Sequence, residues 1–256
     1  MTTRPTILLT NDDSHDSPLF HHTIVALQRL GNVEVVVPAE EQSWKGKAMT
    51  RVGALYADRI DLNGTPAWSV TGTPADCVNL AIHNLLEKRP DIVVSGTNIG
   101  KNVGLGFLLA SGTVGACLEA NIAGLPALAL SQELAPSAFR QWSTERSFLP
   151  AIANQIRVLL ERLIPLVWDE LKIRAEAPAT TWNVNFPFTT AADITLVKTR
   201  VGHTFYDQCF VQKGEQYHHG LTSVHIDQSP DTDDYVVCAG NISASEIDIR
   251  VLGQRI

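Results

Sequence analysis

Apolar positions in this chain fall into short runs separated by longer amphipathic segments. Ile7-Leu8-Leu9, Val33 to Val37, Ile92 to Val94 and Leu128 to Leu130 are each a few residues long and carry almost no charge. Runs of this kind fit strands covered on both faces, as in a parallel sheet. The intervening segments read as helices. One starts at Ser17 or Pro18 and runs to about Leu30, where Gly31-Asn32 stops it. A second runs from Pro74 to about Lys88, with Thr73 as cap and proline at the first helical position. A third runs from about Thr113 to Ala123 and closes at Gly124. Ala54 to Ile60 and Ala67 to Val70 read as two strands joined by the Asn63-Gly64 turn. This strand–helix alternation predicts an α/β fold with a doubly wound, mostly parallel sheet.

The second half has a different texture. Ser137 to about Glu170 is mostly helical in pattern, with Pro165 expected to break it. Trp182 to Pro187 alternates like a strand, and Ile194 to Thr199 reads as another. Gly202 to Gly220 is rich in aromatics and histidine and is expected to project as a β-hairpin arm. Such an arm cannot bury its own faces, which points to an oligomer contact. The chain is read as one domain over 1–256, with about 200–256 as a C-terminal extension.

Composition narrows the function classes. The 256 residues are 45% hydrophobic, enough for one large domain, and the formal net charge is −7. An acidic chain is a poor nonspecific binder of nucleic acid polymers, which require a basic face. The best apolar stretch, Ile156 to Trp168, is interrupted by Arg157, Glu161, Arg162 and Pro165, so no membrane span is expected. Met1 to Pro5 leads straight into the first strand, leaving no room for a signal peptide, and the expected location is cytoplasmic. Cys77, Cys117, Cys209 and Cys238 match no zinc or redox spacing and are expected to be buried free thiols.

Four loops carry candidate chemistry. Asn11-Asp12-Asp13 ends the first strand at its carboxyl end, where open α/β sheets bind ligands. Two adjacent carboxylates repel unless a cation or proton lies between them, and oxygen donors suit Mg²⁺ or Mn²⁺. Taken alone, such a pair also fits a helix cap and a solvated acidic turn. Ser95 to Gly106 is glycine- and asparagine-rich and follows a strand, so its backbone can approach a ligand closely; Asn98 and Asn102 add oxygen ligands and amide donors. It is neither a Walker A loop nor a GxGxxG turn, which argues against a dinucleotide-dependent oxidoreductase. Ser111-Gly112-Thr113 opens a helix and can cradle a phosphate, or serve as an ordinary cap. Gln42 to Lys47 supplies Ser43 as a hydroxyl ligand and Lys45 or Lys47 as a phosphate cation, with a solvated basic loop as the plainer reading. These loops follow strands on one edge of the sheet, and their convergence outweighs the plain reading of each.

In order along the chain, Thr10 to Asp13, Pro38 to Ser43, Gly72 to Cys77, Pro90 to Gly104, Ser111 to Ala116, Gly124 to Pro126, Asn183 to Pro187 and, more faintly, Thr232-Asp233 with Gly240 to Ile249 resemble the SurE family. That family comprises metal-dependent phosphatases acting on nucleoside monophosphates. The resemblance implies a Rossmann-like core and a C-terminal arm used in homodimers or homotetramers. It implies a divalent metal ion held by Asp12, Asp13, Ser43 and Asn98, with phosphate contacts from Asn102, Ser111, Gly112 and Thr113. Asp12 and Asp13 are the catalytic pair, and Asp12 is the first candidate to orient or deprotonate water. The implied reaction is hydrolysis of nucleoside 5′- and 3′-monophosphates, with short polyphosphate as a further substrate.

Three departures stand out. Ser14 and Trp44 occupy positions where the family usually has glycine, and Ala110 stands where it usually has tyrosine. If position 14 requires a positive φ, serine is strained there. Trp44 is expected to narrow the pocket mouth or stack on a base. The alternative reading, a non-catalytic nucleotide- or phosphate-binding protein on the same scaffold, predicts binding without phosphate release. A nucleophilic-aspartate phosphatase is disfavoured because Asn11-Asp12-Asp13-Ser14 does not place a DxD motif correctly.

Overall fold

Alternate residues of the first strand, β1 (Thr6–Thr10), serve two separate cores. Ile7 and Leu9 face one side of the sheet, with Val35, Val37, Ile92, Val94, Leu128 and Leu130, under helices α1 (Phe20–Gln28) and α6 (Pro150–Glu170). Leu8 faces the other side, with Val36, Val70, Val93 and Ala129, under α2 (Pro74–Leu80) and α4 (Gly112–Ile122). A strand buried on both faces gains burial from every side chain, which is why these runs are continuously apolar. The computed structural model describes residues 4–189, 191 and 193–253.

The remaining strands are β2 (Asn32–Pro38), β3 (Ala57–Leu62), β4 (Thr65–Val70), β5 (Ile92–Ile99), β6 (Ala127–Gln132), β7 (Thr181–Phe186), β8 (Leu196–Thr199) and β13 (Ile242–Ile247). They form one nine-stranded sheet in the order β3-β4-β2-β1-β5-β6-β7-β13-β8. Pairs within the stretch from β4 to β7 are parallel, while β3 pairs antiparallel to β4 and β13 antiparallel to β7. From β1 the chain crosses under α1 to β2. From β5 it crosses on the opposite face, through α3 (Gly104–Ala110) and α4, to β6. The strand order therefore reverses between β1 and β5, and the crevice outside their carboxyl ends is where such sheets bind ligands.

The doubly wound α/β sheet and the C-terminal hairpins agree with the sequence pattern, but several boundaries differ. β5 does not end at Val94. It continues through Asn98 to Ile99, with a register shift against β6 between Ser95 and Asn98. The rest of the glycine-rich stretch is partly helical, because Gly104 and Gly106 pack directly on the backbone of Thr204 and Phe205. α2 stops at Leu80 and passes into a π-helical turn, Ala81–Leu85, short of Lys88. Pro165 does not break its helix. Leu159, Leu160, Leu163, Ile164 and Val167 bury one continuous face across it, and that packing offsets the lost hydrogen bond. The break lies earlier, where left-handed Arg146 ends α5 (Pro136–Glu145). Cys77 and Cys117 are buried, but Cys209 is only partly so and Cys238 is exposed, contrary to the expectation for all four.

Beyond β8 the chain leaves the sheet. β9 (Phe205–Tyr206) pairs with β12 (Val224–His225), and β10 (Phe210–Lys213) pairs with β11 (Gln216–His219). It then returns through α7 (Asp233–Cys238) into β13, so the C-terminal segment is not all arm. Among the described residues no single helix is long and apolar enough to cross a membrane.

Candidate active site

Asp12 and Asp13 lie just past β1, beside the carboxyl end of β5, because Thr10 pairs with Ser95. Asp12 is only 3% exposed. Its Oδ1 accepts the Thr113 hydroxyl at 2.6 Å. Gly112 is required beside it: a Cβ there would sit 2.9 Å from both Asp12 Cβ and Oδ2. The amino end of α4 thus abuts Asp12, with Ser111 as its cap accepting from the Val114 amide. Asp13, partly exposed, accepts the Ile99 amide at 2.9 Å through Oδ2.

Burial sets the electrostatics. Desolvation raises the Asp12 carboxyl from 3.8 to about 6, against the lowering effect of the Thr113 hydroxyl. Asp13 is pushed well above the usual carboxylate range, first by burial and then by the neighbouring Asp12 charge. Among the described residues neither carboxylate is ion-paired. Two adjacent carboxylates, one buried and one half-buried, are costly without an ion-pair partner unless a proton or cation joins them.

The other expected residues gather around this pair. Gln42 donates its amide to the Asp12 carbonyl at 2.7 Å, which brings Ser43 to the same end of the sheet. The Ser43 hydroxyl donates to Glu41 Oε1, so its lone pairs face outward from that bond. Asn98 Nδ2 donates to the Gly100 carbonyl at 2.8 Å, which fixes the amide orientation and leaves Oδ1 as the atom available to a ligand. Asn102 Nδ2 donates to Ser131 Oγ at 2.9 Å and, at a longer 3.5 Å, to Thr113 Oγ1. The lysines behave differently. Lys47 is committed to Glu119 at 2.6 Å, and Lys101 to Asp234 at 2.7 Å and Glu133 at 3.3 Å. Lys47 is therefore not a free phosphate cation.

The family profile described as "Survival protein SurE" matches residues 7–208. This chain belongs to the SurE family. It is 37% identical over 256 residues to the "5'-nucleotidase SurE" of Geobacter metallireducens, covering 95% of this chain and 91% of that one. It is 30% identical over 249 residues to the protein of the same name from Methanopyrus kandleri, covering 96% and 92%. The crystal structure of SurE protein from Aquifex aeolicus superposes with a TM-score of 0.71 at 28% identity, covering 98% of this chain and all of that one.

The residues at 14 and 44 are explained by the backbone. Ser14 adopts φ 66° and Trp44 φ 62°, both in the left-handed region where a Cβ is disfavoured. Position 14 does require a positive φ. The Ser14 carbonyl accepts from Asn11 Nδ2 at 2.8 Å, and its side chain makes only a long 3.4 Å contact with the Asp16 amide. Ser14→Gly is therefore expected to stabilise the protein by roughly 0.5–1 kcal/mol. Thermal unfolding of the purified variant checks this, and a lower melting temperature refutes it.

Sequence reasoning missed the supports of Asn102. Its amide donates to Asn185 Oδ1 at 2.7 Å, and its carbonyl accepts Asn183 Nδ2 at 2.8 Å. Both asparagines are fully buried on β7. The signal was available: asparagines at alternate positions of a strand buried between two others must face something polar. The role of Asp233 was also missed. Its carboxylate accepts the amides of Gly104 and Gly202 at 2.8 and 2.9 Å, pinning the loop that carries Asn102 to the start of the arm.

Proposed function

We propose that this chain is a metal-dependent phosphomonoesterase that hydrolyses nucleoside 5′- and 3′-monophosphates to nucleoside and phosphate. The observation that carries this is the Asp12–Asp13 couple, Asp12 buried, Asp13 half-buried and neither ion-paired among the described residues, set against the amino end of α4 at the sheet's switch point. The names of the relatives, "5'-nucleotidase SurE", support the same reading.

The donors suit a hard divalent cation, Mg²⁺ or Mn²⁺. Asp12 and Asp13 would hold it with Asn98 Oδ1 and Ser43 Oγ, an all-oxygen set. Among the described residues no group of three or more His, Cys, Asp or Glu side chains is arranged for a metal, so neutral oxygens must complete this one. When bound, the cation supplies Lewis acidity and lowers the pKa of a coordinated water. Asp12 would orient the attacking water or take its proton. Asn102, Ser111, Gly112 and Thr113 face the phosphate, and the amino end of α4 stabilises its oxygens as charge builds. Ser131 and Asn185 keep Asn102 in place for that role. The ribose oxygen leaves and is protonated from solvent.

Two further features belong to this reading. The arm exposes Phe205, Phe210, Tyr217, Leu221 and Ile226, an apolar surface suited to a second copy of the chain in a dimer or tetramer. A cytoplasmic location fits a nucleotide substrate.

The test is phosphate release from nucleoside 5′- and 3′-monophosphates and tripolyphosphate with Mg²⁺, with Mn²⁺ and with EDTA. Release is expected with either metal and is expected to fall to background with chelator, returning when metal is restored. Nucleotide binding by calorimetry without release in any condition would replace the enzyme with the binding protein.

A further inference from the structure

We propose that Trp44, with Phe107 beside it, is the surface on which the substrate's nucleobase stacks, so that Trp44 sets how strongly this enzyme prefers base-bearing phosphomonoesters. The proposal rests on the nucleotidase reading for its substrate and goes further in naming what recognises the base.

Trp44 is an expensive choice for its position. Its φ of 62° is left-handed, where glycine carries no Cβ penalty and an L side chain costs about 1–2 kcal/mol. Partial burial offsets that cost, yet the residue stays 41% exposed. It is nevertheless held in place. Phe107, Tyr206 and His219 surround it at ring separations of 5.9, 5.1 and 4.8 Å. Their planes are inclined at 64°, 67° and 59° to the indole, so none of the three lies flat upon it. Tyr206 and Phe107 also pack on each other at 5.5 Å. The result is an ordered, partly exposed indole with no ring among the described residues stacked parallel on it.

Its place in the fold specifies the ligand. Trp44 follows Ser43 directly, in a loop fastened to the site at both ends. Gln42 bonds the Asp12 carbonyl at 2.7 Å, and Gly46 bonds the Ala110 carbonyl at 2.9 Å, just before the Ser111 cap. Phe107 lies one turn of α3 before that cap. Two aromatic rings therefore flank the helix end that faces the phosphate. Ala110, directly before the cap in sequence, offers no ring of its own. A flat π-system attached to a phosphate through a short linker is the ligand this geometry fits, and a nucleoside monophosphate has that form. Base–aromatic stacking tolerates any base and increases with ring area, so purines gain most.

The experiment compares kcat/KM for AMP, CMP and ribose 5-phosphate in wild type, Trp44→Gly and Trp44→Phe. Glycine suits the left-handed backbone, so that variant is expected to fold. The AMP to ribose 5-phosphate ratio is expected to fall at least tenfold in Trp44→Gly, the CMP ratio to fall less, and Trp44→Phe to restore most of both. An unchanged ratio overturns the proposal while leaving the nucleotidase reading intact. The second readout needs no turnover: AMP should quench tryptophan fluorescence in wild type and lose most of that quenching in Trp44→Phe. Quenching that depends on Trp44 in a protein that releases no phosphate would uphold the base surface and remove the nucleotidase reading. Quenching that is equal in wild type and Trp44→Phe would overturn the base surface.

Discussion

Asp12→Asn is expected to lower kcat by roughly 1000-fold or more and, at the same time, to make the metal-free protein more stable. The loss follows from removing a charged ligand and the group placed to take the water's proton. The gain follows from the sign of the pKa displacement. The folded carboxyl is raised from 3.8 to about 6 by burial, so the folded state holds its proton to higher pH than the unfolded state. Its contribution to stability is complete below pH 4 and is lost as pH rises through about 6. At pH 7 the metal-free protein carries a penalty on the order of 3 kcal/mol, which a neutral amide avoids. An amide also spares Asp13 the neighbouring charge that helps to raise its own carboxyl, and its oxygen can still accept the Thr113 hydroxyl. Urea unfolding of both proteins in EDTA from pH 4 to 8 should show the wild type weakening across that range and the variant weakening less, since burial alone still raises Asp13. With saturating Mn²⁺ the order should reverse at pH 7. Wild-type turnover in the variant, or an unfolding curve parallel to wild type across the pH range, would refute the assignment of Asp12.

Asp233→Ala is expected to cost about 3 kcal/mol or more, although Asp233 is placed against neither the metal nor the phosphate. Its side chain is fully buried and accepts three backbone amides, those of Gly104, Gly202 and Asp234. Removing it leaves those donors without an acceptor, at about 1–3 kcal/mol each. The loop from Lys101 to Gly104 would lose its anchor, and Asn102 with it, so kcat/KM should fall at least tenfold at temperatures where the variant remains folded. Chemical denaturation and steady-state kinetics on the same preparation separate the two effects. A variant within 1 kcal/mol of wild type with full activity would mean that Asp233 does not hold the loop.

What was readable beforehand in the site had a local cause. Asp12, Asp13 and Thr113 announce themselves because polar residues at the end of an apolar run, or at the start of a helix, have few explanations other than a cap or a ligand. Ser14 could be read as strained only on the condition of a positive φ, and only the backbone angles show that both it and Trp44 sit in left-handed conformation. Lys47 illustrates the opposite failure. A lysine in a polar loop looks free, and its commitment to Glu119 joins residues far apart in sequence.

The sequence by itself determined the doubly wound sheet, because continuous apolar runs and amphipathic segments of the right length admit few other arrangements. It also determined which loops meet, because the carboxyl ends of neighbouring parallel strands share an edge. Only the tertiary structure decided the extension of β5 to Ile99, the helix in the glycine-rich stretch, the seat of Asn102 on Asn183 and Asn185, and the anchoring of Gly104 by Asp233. In each case the deciding partner lies many residues away, so local propensity and periodicity carry no record of it, and the outcome rests on packing and on satisfying buried polar groups.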